Sequence, residues 1–112
     1  MTMSISQTGF NFTYSEDSLT LKQLSQMSGD AFLEFGAPWC GHCKAAEPAI
    51  QEAFEDYSDL PHIKVYDGKG KKLGRTFKVK LWPTLILLRN GVEVARTVRP
   101  TLADEVQKLF AH

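Results

Sequence analysis

Apolar and polar residues alternate along this chain with two periods, and the switches between them predict its elements. Phe10, Phe12 and Tyr14 alternate with Asn11 and Thr13, the period of two expected of a strand. Leu21, Leu24 and Met27 recur at helical spacing behind Thr20, a residue suited to capping a helix start, and Gly29-Asp30 ends that helix. Ala31-Phe32-Leu33-Glu34-Phe35 is a short apolar run of the kind a buried strand makes, interrupted by one acid, and Gly36-Ala37-Pro38 breaks it. From Gly41 to about Tyr57 the period is helical, with Ala46, Ile50, Ala53, Phe54 and Tyr57 on one face. Pro48 lies inside this helix, where the missing backbone donor predicts a kink. Ile63, Val65 and Tyr66 read as a strand, and Leu73 to Phe77 as a short helix after a Gly- and Lys-rich turn. Thr84 to Leu88 is the strongest strand signal. Asn90-Gly91, the favoured two-residue hairpin turn, joins it to a partner running to Val98. A last helix starts near Thr101, with Leu102, Val106, Leu109 and Phe110 apolar.

The order is β-α-β-α-β-α-β-β-α. It predicts an α/β fold: a mixed central sheet with helices on both faces, the last hairpin adding antiparallel strands. Residues 1–9 read as a flexible arm and 10–112 as a single domain. A length of 112 residues suits one domain, and 43% hydrophobic with 23% charged residues excludes a disordered or coiled-coil chain. Net charge is zero, which weakens any case for nucleic-acid binding by the whole chain. No apolar run reaches the ~18–20 residues of a membrane span. The polar start, Met1 to Gln7, carries no apolar signal region, so the expected location is cytoplasmic unless a leader was removed. The zero hides an asymmetry. Residues 1–61 hold two basic against nine acidic residues, −7, and residues 62–112 hold eleven against four, +7. Lys69, Lys71, Lys72, Arg75, Lys78 and Lys80 form a basic segment that reads first as a solvated face and second as a steering patch for an acidic partner.

Only two cysteines are present, Cys40 and Cys43, too few for a disulfide scaffold. A bond between them would close a tiny loop and add little stability, so the pair reads as chemistry. Cys40 falls between a buried strand and a helix start, where unpaired N–H groups and the positive dipole end favour a thiolate. Cys43 lies one turn inside, shielded but close. Cys40 is therefore the attacking and Cys43 the resolving cysteine. A metal half-site from Cys40, His42 and Cys43 falls short of the four ligands zinc takes, so it would need a second chain.

The run Glu34-Phe35-Gly36-Ala37-Pro38-Trp39-Cys40-Gly41-His42-Cys43-Lys44, with Pro48 after it, resembles thioredoxin-fold proteins, and above all the catalytic domains of protein disulfide isomerase. Trp82-Pro83-Thr84, 43 residues beyond Cys40 at Pro83, is similar to the family's cis-proline element. The resemblance implies a thiol–disulfide oxidoreductase that needs no cofactor. It would act on protein substrates bearing disulfides or thiols, be recharged by a reductase or oxidase, and work as a monomer in cell redox homeostasis. It implies that Pro83 is cis beside the cysteines and that the Trp82 backbone bonds an extended substrate strand, with Trp39 and Thr84 flanking. It makes Glu34 the buried carboxylate that takes and returns the proton of the resolving cysteine, and Lys64 the strand lysine approaching that acid. His42, between the cysteines, would stabilise the thiolate and make the couple more oxidising than thioredoxin at about −270 mV, towards protein disulfide isomerase at about −180 mV.

The chain departs from the family at Gly36, where an aromatic residue is usual, and at Leu81, where glycine is usual. Trp82 is bulky for its place, and Arg99-Pro100 stands where a glycine-containing loop is expected. Two other classes compete with the enzyme: a protein-binding module that uses the Trp82-Pro83 groove, and metal or iron–sulfur binding by a cysteine-bridged dimer.

Overall fold

The computed structural model describes residues 9–11, 14, 20–67 and 72–111. In chain order the elements are α1 (Leu21–Ser25), β1 (Asp30–Gly36), α2 (Gly41–Ala53), β2 (His62–Tyr66), α3 (Lys72–Thr76), β3 (Thr84–Arg89), β4 (Val92–Val98) and α4 (Ala103–Gln107). The sheet runs β2-β1-β3-β4. β1 pairs parallel with β2 and antiparallel with β3, and β3 pairs antiparallel with β4. The mixed sheet with helices on both faces is the one the pattern predicts.

Period two divides β1 between two cores. Phe32, with Leu85 and Leu87 of β3, packs against Ala46, Ile50 and Ala53 of α2 and Val106 of α4. Leu33 and Phe35, with Ile86 and Leu88, pack on the other face against Leu24 of α1 and Leu73 of α3. Glu34 alternates with Leu33 and Phe35, so it shares the α2 face with Phe32 and lies 2% exposed.

The local signals explain the boundaries. Thr20 and Gln23 form a reciprocal capping box on α1: each side chain accepts the other's backbone N–H. This helix stops at Ser25, earlier than Gly29-Asp30. α2 runs through Pro48 without interruption and tightens to a 3₁₀ turn at Phe54–Asp56 instead of continuing to Tyr57. The hairpin turn has positive φ at both Asn90 (52°) and Gly91 (79°), as its tight geometry requires. Asn90 also braces the turn before β1: its N–H reaches the Gly29 carbonyl, and its side-chain oxygen accepts the Gly29 N–H at 2.8 Å. The expected first strand does not form at Phe10 and Asn11. Positions 12 and 13 lie outside the described residues, as do most of the expected arm and the Gly/Lys turn at 68–71.

Candidate functional site

The end of β1 and the start of α2 bring the cysteines together. Cys40 occupies the cap position of α2 in an extended conformation, and its sulfur accepts the Cys43 N–H at 3.2 Å. An acceptor is needed there because the first N–H groups of a helix have no partner within it. Both thiols are free. Cys40 keeps 8% of its surface and Cys43 4%. Burial, and then the hydrogen bond with Cys40, pushes the Cys43 thiol up to about 11. His42 lies between them on the exposed side of the first turn.

The Trp82–Pro83 peptide bond is cis, as expected, and Trp82 packs against the Ala37, Cys40 and Cys43 cluster. The Trp82 indole N–H donates to Asp67 Oδ2 at 2.9 Å, and its ring meets Trp39 edge to face at 5.4 Å. Trp39 is 64% exposed, so it forms the open rim of the site. Thr84 is 1% exposed and its hydroxyl donates to the Leu81 carbonyl at 2.6 Å, which ties the loop around the cis proline. The Trp82 carbonyl already accepts one hydrogen bond. Arg99, at φ 51°, donates its Nε–H to that oxygen at 2.8 Å, and its backbone N–H bonds the Pro83 carbonyl.

Behind Cys43 lies Glu34, whose two oxygens have separate partners. His62 Nε2 lies 2.7 Å from Oε1, and the Tyr14 hydroxyl donates to Oε2 at 3.2 Å. His62 is buried, stacked on Phe54 with ring centroids 4.6 Å apart. Its Nδ1 accepts the Asn11 N–H at 2.9 Å, which leaves the ring proton on Nε2, facing the carboxylate. Lys64 pairs with Glu34 in strand register and is 2% exposed. Its ammonium lies 3.6 Å from Glu47 and 4.2 Å from the centre of the Tyr14 ring.

Sequence pattern alone does not mark three of these groups, His62, Tyr14 and Asp67. His62 lies two residues before Lys64 and so shares its strand face, which is the one signal it offers. Tyr14 was read as a strand residue. Gly36, where an aromatic residue is usual, makes room for one from elsewhere in the chain. A Cβ there would fall 2.6 Å from both the Tyr14 hydroxyl and the Cys43 sulfur, so only glycine lets the two approach. Asp67, the partner of Trp82, had no sequence signal.

A family model described as Thioredoxin matches residues 13–112. Thioredoxin H2-1 of Oryza sativa subsp. japonica is 37% identical over 76 residues, 68% of this chain and 54% of the relative. This chain thus spans about half the length of that protein. Protein disulfide isomerase-like 5-2 of the same species is 40% identical over 70 residues, 59% of this chain and 16% of its own. Among solved structures, thioredoxin 2 from Pseudomonas aeruginosa PAO1 in its reduced form superposes with a TM-score of 0.81 at 46% identity, covering 90% of this chain and 94% of that one.

Proposed function

The chain belongs to the thioredoxin family of disulfide oxidoreductases, and we propose that it exchanges disulfides with protein substrates through its C-G-H-C pair. The observation that carries this reading is Cys40 at the α2 start, its sulfur held by the Cys43 N–H at 3.2 Å, with a buried carboxylate behind. The Cys40 thiolate attacks one sulfur of a substrate disulfide, and the other sulfur leaves with the electron pair. Cys43 loses its proton towards Glu34 and attacks the Cys40 sulfur. The Cys40–Cys43 bond forms, the mixed disulfide breaks, and the substrate departs reduced by two electrons. The oxidised pair is returned to dithiol by a reductase, or the sequence runs in reverse with an oxidase. The rim of Trp39, Trp82 and Pro83 receives the substrate chain, and no cofactor takes part.

His42 next to Cys40 favours the reduced form and raises the potential above thioredoxin's value of about −270 mV. Equilibration with glutathione measures it, and a value at or below that figure rejects the role given to His42. Reduction of insulin by dithiothreitol tests the whole reading. Wild type accelerates the reaction and Cys40→Ser does not; equal rates for the two overturn it.

A further inference from the structure

Tyr14 stands between the resolving thiol and the buried carboxylate. Its hydroxyl donates to Glu34 Oε2 at 3.2 Å and stands beside the Cys43 sulfur across the space left by Gly36. The side-chain-free Gly36 gives the two groups the space to meet, since one Cβ position lies 2.6 Å from both Oη and Sγ. The carboxylate is aimed. His62, its proton fixed on Nε2, takes Oε1 and leaves Oε2 turned to the phenol. The ring is held too, with the buried Lys64 ammonium 4.2 Å from its centre.

We propose that the Tyr14 hydroxyl relays the proton between Cys43 and Glu34, a catalytic residue of the resolving step. The inference rests on the redox reading of the cysteine pair. Oη accepts the proton of the Cys43 thiol while its own proton passes to Glu34 Oε2. The products are a Cys43 thiolate, an unchanged phenol and a neutral carboxyl. The thiolate then attacks the Cys40 sulfur, and the substrate sulfur leaves with the electron pair and takes a proton from water. The phenol never ionises on the way. Burial, and after it the charge of Glu34, holds its acidity far below that of an ordinary tyrosine, so the two transfers are concerted. On reduction of the Cys40–Cys43 bond the same chain runs backwards and returns the proton to Cys43.

A nitrobenzoate disulfide whose thiolate is yellow separates the steps. The first release of colour reports attack by Cys40, and the second reports attack by Cys43 on the mixed disulfide. Tyr14→Phe is expected to leave the first release at the wild-type rate and to slow the second about tenfold or more, as loss of a positioned proton carrier does. Glu34→Gln slows the second release as well, and the double variant is no slower than Glu34→Gln alone, because one chain is broken twice. Equal second rates in wild type and Tyr14→Phe overturn the relay and leave the redox pair standing. No first release from wild type overturns the redox reading itself. Should Tyr14→Phe not fold, wild type decides alone in mixtures of light and heavy water. A curved dependence of the second release on deuterium content supports two protons in flight, and a straight line overturns the relay.

Discussion

Cys43 is asked to be both buried and reactive, and its acidity records the conflict. Its thiol rises from an ordinary 9.0 to about 11, burial being the main cause and the Cys40 hydrogen bond the second. The folded value lies above the unfolded one, so keeping the thiol neutral stabilises the reduced fold fully below about pH 9. That stability is lost as pH climbs from 9 towards 11. Urea midpoints of the reduced protein are therefore expected to fall across this window. Cys43→Ser keeps a flat midpoint over the same range, and a parallel fall in that variant would remove Cys43 as the cause. The cysteines, Glu34 and the cis proline could be read in the sequence because one short motif and one fixed spacing carry them. His62 and Tyr14 could not be read so directly. Their partner Glu34 lies 28 and 20 residues away along the chain, and only the sheet and the packing of the first segment bring them to it.

At the level of elements, the strands and helices followed from hydrophobic period and turn chemistry, while their ends followed from tertiary contacts. α2 tightens at Phe54, whose ring packs edge to face against Phe32 and stacks on His62. The link from β4 to α4 carries a device no pattern reveals. Arg99 adopts a left-handed φ of 51° and binds the Trp82 carbonyl at 2.8 Å, occupying an acceptor that an incoming extended strand would use. Arg99→Gly relieves the backbone and removes the hydrogen bond, opposing effects on the order of 1–3 kcal/mol each. Thermal stability should therefore move little. KM for insulin in the reduction assay should fall, and an unchanged KM would show that the guanidinium does not compete with substrate.

Across the whole molecule, the charges of the described residues are spread unevenly over the two sides of the sheet. Glu52, Glu55 and Asp104 are exposed on the α2 and α4 side of the sheet, whereas Lys72, Arg75 and Lys78 are exposed on and just after α3, across the sheet. The two halves of the sequence meet in pairs such as Lys64–Glu47 and Arg89–Asp30, and Lys44 and Lys108 are also exposed on the α2 and α4 side. An acidic protein disulfide should accordingly react faster at low ionic strength than at high. The double reversal Lys78→Glu, Lys80→Glu should cut the low-salt rate about tenfold and flatten the salt dependence. A salt slope that survives the reversal would assign the steering elsewhere. The aromatic ring beside Cys43 has a different kind of consequence for the molecule as a whole. It is lent to the site by the opening stretch of the chain, in the room left by Gly36. The active site is thus not a portable cassette. Grafting the segment from Glu34 to Lys44 into a host that carries its own aromatic at the neighbouring position would transplant both thiols without their companion. Giving this chain a foreign beginning would leave a vacancy at the centre of an otherwise intact motif.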